Sequence, residues 1–384
     1  MVETAKTAEL MQPSGDRRWD QPTAYQLWME ATGLPIHRGF YVPDARTVEL
    51  GSWPERECKA AFLELTGLEG VSEIRVTEIS PGKSLPPMKF GMDEVVYVLG
   101  GRGLTTISDP QTGQEITFEW GKRSLFELPR NCTCTLSNAQ GNAPARLLQS
   151  NYLPLALSVQ GDPSFFFNNP YSGPTPLSLA AGQFASEAKA VHQELDDGGV
   201  AAGVFWYGNF FPDMAAWENL TPFKARGAGG SVVWIRFPQS VLTAHMSVFP
   251  SRTYKKGHRH GPGWVIVIPA GEGYSIMWPE GGERVVIPWQ EGSVFVPPNR
   301  WFHQHFNLGA SDARYVALHP PMHMSGFSEK IEDMARDQIE YANEDPWVRN
   351  RFQEELGKRG LASLMAEDAY HDPKYQWSYD AKAS

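Results

Sequence analysis

The fold class this sequence predicts is mainly β, with one strand-rich region duplicated, and three observations carry that expectation. Glycine (36) and proline (30) are both plentiful in 384 residues, which favours short strands and many turns over long helices. Residues 71–155 and 231–322 share a texture of short β-branched and aromatic runs broken by turn residues. The two regions also match each other at a nearly fixed spacing. Trp120, Ser124, Phe126, Pro129 and Asn138 recur as Trp289, Ser293, Phe295, Pro298 and Asn307, all 169 positions later, and Gly101 and Gly103 recur as Gly271 and Gly273 at 170. Each half is therefore expected to form an antiparallel β-barrel, with short helical segments at the two ends of the chain.

Taken in order, the first 20 residues are polar and expected to be mobile. "TAYQLWMEATG" reads as a short helix: Thr23 caps it with Gln26 three residues on, Leu27 and Ala31 share a face, and Gly33 stops it. Residues 1–70 thus read as an extension carrying one helix. Within 71–155, "VSEIRVTEI", "EVVYVLG", "GLTTISD", "EITFEW" and "ARLLQSNY" read as strands. Residues 156–230 read as a connector. Strand texture returns in 231–322 with "SVVWIRF", "TAHMSVF", "WVIVIPAG", "GYSIMW", "GSVFVP" and "ARYVAL". Residues 323–384 read as a helical tail. Its "DPWVRNRFQEELGKRG" has Asp345 as cap, Pro346 in the first turn, Val348, Phe352 and Leu356 on one face, and Gly360 as stop.

Composition excludes several function classes. The net charge is −10 and no basic cluster exceeds "YKKGHRH", so the footprint needed for nucleic acid is missing. No stretch approaches the ~18 apolar residues of a membrane span. Cys58, Cys132 and Cys134 are too few and too badly spaced for a disulfide framework, and fit a reducing cytoplasm.

The chemistry-bearing stretch is "GHRHGPGWVIVIPAG", followed about thirty residues on by "GSVFVPPNRWFHQHFN". Alternate residues of a strand face the same way, so His258 and His260 can both point inward, and His303 from a second strand can close a facial triad. Three imidazoles suit Fe, Zn, Cu, Ni or Mn(II), and leave the ion its full charge.

These motifs resemble the cupin superfamily, and specifically its two-domain bicupins. His258, His260 and Gly271 fit the family's first motif, while Gly292, Pro298, His303 and Asn307 fit its second. The motif's glutamate position falls on Trp264 or Val265, so the resemblance implies a three-histidine site in the second barrel. It is similar in this to the gentisate 1,2-dioxygenase-like group, whose motif lies in the first barrel instead. The first barrel carries Met88, Phe90 and Cys134 where the second has His258, His260 and His303, with Glu94 at the glutamate position. It reads as a degenerate structural copy.

The resemblance implies an Fe(II) dioxygenase using O₂ on a small anionic aromatic or thiol substrate. The alternatives are a redox-neutral lyase, isomerase or hydrolase with Zn, Mn or Ni, and a non-catalytic binder. It also implies a homo-oligomer, dimer or tetramer. His305 shares strand parity with His303 and reads as an acid–base group beside the metal, the alternatives being a fourth ligand or a hydrogen-bonded core residue. Trp264 and Trp301 are expected to wall the cavity, with Tyr274 as a further substrate contact and His245 and Tyr315 as lesser candidates. Arg252, Lys255 and Lys256 read as a solvated charge run that could also attract an anion. "RGAGGS" at Arg226 reads as a turn.

Overall fold

The computed structural model describes residues 21–167, 169–176, 184, 187–194, 200–218, 220–324 and 336–377. The polar stretch 1–20 lies outside them. The protein is mainly β, as expected, but each half is two facing sheets rather than one closed barrel.

In the first half, the larger sheet is built on Glu73–Ile79, Ala145–Asn151, Glu94–Gly100 and Leu125–Leu128, hydrogen-bonded in that order. The smaller sheet runs Met88–Lys89, Thr133–Asn138, Arg102–Ser108, Glu115–Gly121. The second half repeats both orders. Thr243–Phe249, Ala313–His319, Val265–Ala270 and Val294–Phe295 make its larger sheet, and Gly257–His258, Phe302–Asn307, Gly273–Trp278 and Val285–Trp289 its smaller one. Further strands, among them Ile36–Gly39, Cys58–Leu65 and Ser231–Arg236, widen the larger sheets. Cys58–Leu65 lacks polar–apolar alternation because it is buried on both faces, which hides it from a period-two reading.

The repeated residues now acquire physical reasons. The Trp120 indole donates to Thr105 Oγ1 at 2.9 Å, and Trp289 donates to Ser275 Oγ at 3.0 Å. A Cβ on Gly103 or Gly273 would strike those same indoles, so each tryptophan needs its glycine. Asn138 and Asn307 each donate to three carbonyls of the turns beside them.

Ser124 and Ser293 tie the halves together. Tyr41–Val42 pairs with Phe295 and Val294 of the second half, while Phe210–Phe211 pairs with Phe126 and Leu125 of the first. Ser293 Oγ donates to Pro43 at 2.6 Å and Ser124 Oγ to Pro212 at 2.7 Å. The halves thus exchange short arms reciprocally, and the duplication extends into segments where the sequence showed no repeat.

Both predicted helices form. Ala24–Ala31 has the Thr23–Gln26 capping box, but it buries Tyr25 and Met29, leaving Leu27 54% exposed. Pro346–Gly357 is capped by Asp345 and buries Val348, Phe352 and Leu356 against Tyr254 and Phe306.

Candidate metal centre

His258 and His303 are direct cross-strand partners in the smaller sheet of the second half, and His260 follows on the loop leaving the first strand. All three are buried. One nitrogen from each ring lies within 4.8 Å of the others, the only group of three or more His, Cys, Asp or Glu so placed among the described residues. Three nitrogens sharing one ion through bonds of ~2.1 Å would sit about 3.0–3.4 Å apart, so the rings would have to turn inward to close on it.

The surroundings fix ring orientation. Each Nδ1 meets a backbone carbonyl: Lys256 for His258 at 3.2 Å, Gly261 for His260 at 2.8 Å and Trp301 for His303 at 3.2 Å. The Nδ1–H tautomer so favoured leaves the Nε2 lone pairs for an ion. Burial pushes all three pKa values down, His260 to about 4 and the others well below the ordinary histidine range. Neutral imidazoles are the ligating form, so the residues fit a divalent metal. Asp337 binds the segments from outside: it accepts from Arg259 Nε at 3.0 Å and from Arg300 Nη1 at 2.8 Å. One carboxylate thus spans the loop of His260 and the turn before His303.

The triad opens on a narrow pocket of about 30 Å³ between the two sheets. Trp264 lines it and lies against His260 with ring centroids 4.3 Å apart, and against His319 at 4.0 Å. The motif's glutamate position is thus filled by an indole wall. His305 lines the cavity beside the triad, 5.5 Å from His303 between ring centroids. Its Nδ1 is 2.8 Å from Ser275 Oγ, the same hydroxyl that accepts from Trp289. His245 and Tyr315 also reach the cavity. His245 Nδ1 lies 2.7 Å from His319 Nε2, and His319 Nδ1 lies 2.7 Å from Thr243 Oγ1.

Other expectations need correcting. Trp301 is half-buried against Phe40, 5.9 Å between ring centroids, and does not line the cavity; its contribution is the carbonyl that holds His303. It precedes its strand, so strand parity does not govern it. Tyr274 faces the opposite side of its strand from Ser275 and stacks on Phe306 at 4.5 Å in the C-terminal core. Lys255 is not solvated: it is fully buried, its ammonium over the Tyr315 ring at 4.9 Å and bonded to Ser247 Oγ. Burial, then the neighbouring Arg226 charge, push its pKa well down. Lys256 pairs with Glu340.

Arg226, read from the sequence as part of a turn, is a cavity residue. It is 8% exposed, its guanidinium sits 5.9 Å from the Phe223 ring, and Nη1 donates to Gln338 at 2.7 Å. Burial lowers its pKa to about 10, which leaves it charged at neutral pH.

The first half has closed the equivalent space. Arg75 lies between Glu73 and Glu94, all three buried, with Gln149 and Asn151 completing Glu94's hydrogen bonds. Burial raises the Cys134 thiol well above its ordinary range. Neither Glu94 nor Cys134 is poised as a ligand.

No known family model matches the chain, and no curated protein sequence matches it. Among solved structures it is similar to the oxalate decarboxylase of Bacillus subtilis at pH 4.6, with 13% identity over 86% of this chain and 84% of that one, at a TM-score of 0.48. The Lactobacillus farciminis oxalate decarboxylase–formate complex shares 12% over 81% of this chain and 92% of its own, also at 0.48. Similarity at this level assigns neither substrate nor metal to this chain. The gentisate-like subgroup rests on the sequence motifs alone.

Proposed function

We propose that the protein is a mononuclear metal enzyme of the cupin type acting on a small anionic substrate. The observation that carries this reading is the sign of the cavity: it presents three neutral imidazoles and the Arg226 guanidinium, with no carboxylate among its described lining residues. An ion there keeps its full charge, and the site is completed by an anion. A cavity of about 30 Å³ holds a water-sized group, whereas a benzene-sized guest needs ~150 Å³. A short carboxylic acid or thiol therefore fits the reading better than an aromatic acid.

When bound, a divalent ion supplies Lewis acidity and, as Fe(II), affinity for O₂. The chain does the rest. Arg226 pairs with the anionic group, Trp264 keeps water from the reacting atoms, and His305 moves a proton at the ring nitrogen that Ser275 leaves free.

The tight cavity favours a single substrate and hence redox-neutral chemistry of the lyase class, with Mn, Zn or Ni. The carboxylate-free triad favours the second reading, an Fe(II) dioxygenase whose substrate supplies the missing negative charge. Protein loaded separately with Mn(II), Fe(II) or Zn(II) and given C2–C4 carboxylates and small thiols, under argon and under air, separates the two. Turnover under argon supports the first and substrate-dependent O₂ uptake the second. No turnover with any of the metals under either gas counts against both.

A further inference from the structure

The repeat preserves one feature of the cavity in the half that has lost its histidines. Gly51–Trp53 leads into a single 3₁₀ turn, Pro54–Arg56, and Thr221–Pro222 leads into the matching turn Lys224–Arg226. Both short strands pair with the strand that follows them: Ser52 lies opposite Lys59, and Pro222 opposite Ser231. At that spacing of 170, Trp53 corresponds to Phe223 and Arg56 to Arg226. The second-half arginine faces the metal cavity. The first-half arginine faces a separate cleft of about 370 Å³, walled by Trp28, Trp53, Phe167 and Met88. Met88 stands in the place of His258.

Three features of this cleft point to a ligand. Its volume lies within the ~300–1,000 Å³ range of small-molecule sites. Trp28 and Phe167 stack on each other at 5.1 Å with planes 26° apart, and with Trp53 they give the cleft an aromatic side. Arg56 is half-buried, yet meets no carboxylate and no hydrogen-bond partner among the described residues, unlike Arg226 with its Gln338. Glu55 lies at the rim and is exposed. An unpaired, partly desolvated guanidinium beside an aromatic wall suits a ligand that brings both a flat ring and an anion.

We infer that the first half binds a planar aromatic monocarboxylate in this cleft, with its carboxylate on Arg56 and its ring against Trp28 and Phe167, independently of the metal centre. The reading of the second half as an enzyme is not needed for this, and the test keeps the two apart. Benzoate is titrated by calorimetry into the full chain with and without bound metal, with benzamide as the uncharged control and acetate as the ringless one. The expected result is one benzoate site that survives both metal removal and His260→Ala. It should weaken at least tenfold in Arg56→Gln and in Trp28→Ala, and bind benzamide and acetate at least tenfold more weakly. Circular dichroism on each variant checks folding, and Glu55→Gln serves as a neighbouring variant that leaves benzoate affinity intact or tightens it. Benzoate binding that disappears with the metal, that ignores Arg56→Gln in a folded variant, or that does not occur at all overturns the inference.

Discussion

Replacing Trp264 by alanine tests the cavity argument at its narrowest point. The indole is 6% exposed and lies between His260 and His319. A buried aromatic side chain removes ~150–250 Å² from water, which at about 25 cal/mol per Å² corresponds to ~4–6 kcal/mol as an upper bound. Observed costs of Trp→Ala changes are ~3–5 kcal/mol, because the space left behind collapses only in part. Trp264→Ala should therefore lower stability by ~3–5 kcal/mol in urea unfolding while retaining its ion, since the indole is not a ligand. The space released should admit a ring. Binding of 4-nitrocatechol to the loaded metal, read from its absorbance, should be absent or weak in the wild type and appear in the variant. Tight binding of this ring-sized chelator to the wild type would refute the size argument. A cost below ~1 kcal/mol would refute the role given to the indole as a packed wall.

Three further outcomes follow from the same geometry. Arg226→Met removes the cavity's fixed positive charge and should weaken acetate binding to the Mn(II)-loaded protein at least tenfold, in line with the ~1.5–3 kcal/mol of a charged hydrogen bond; water proton relaxation reads the displacement. Asp337→Asn loosens the clamp on Arg259 and Arg300 and should reduce metal affinity about tenfold in a competition titration, with the fold intact by circular dichroism. Glu344 gives a pH signature. Burial raises its carboxyl to about 7 from 4.5, against hydrogen bonds from Tyr254 and Gln304 that lower it. The folded state therefore holds this proton more tightly than the unfolded chain does, so the contribution is favourable below about pH 4.5 and is lost as pH rises through about 7. At ~1.4 kcal/mol per unit the shift corresponds to ~3 kcal/mol, and the half-buried position reduces this to about 1–2. Glu344→Gln should stabilise the protein by about that much at pH 8 and scarcely at pH 4.5, which thermal unfolding at the two pH values will show.

What the sequence disclosed and what it hid follow from how local each signal is. The triad was legible because HxH spacing and the 169-residue repeat are both linear patterns, and strand parity turned them into geometry. Most of the repeated strands were legible for the same reason. Cys58–Leu65 escaped because burial on both faces erases alternation. Lys255 was misread because a cluster of charges in sequence suggests water, whereas this one points into a core of Phe249, Tyr315 and Phe223. Arg226 sits in a glycine-rich turn that carries no periodicity. Its signal was the match to Arg56, visible only once strand pairing had fixed the register of the two turns.

The central claim is that three imidazoles of the second half share one divalent ion, and its most direct test is metal stoichiometry after equilibrium dialysis against Mn(II), Fe(II) and Zn(II). The wild type should bind one ion per chain, and a folded His303→Ala variant should bind none or bind at least a hundredfold more weakly. An ion retained undiminished by His303→Ala, or a wild type that binds none of the three metals, would contradict the claim.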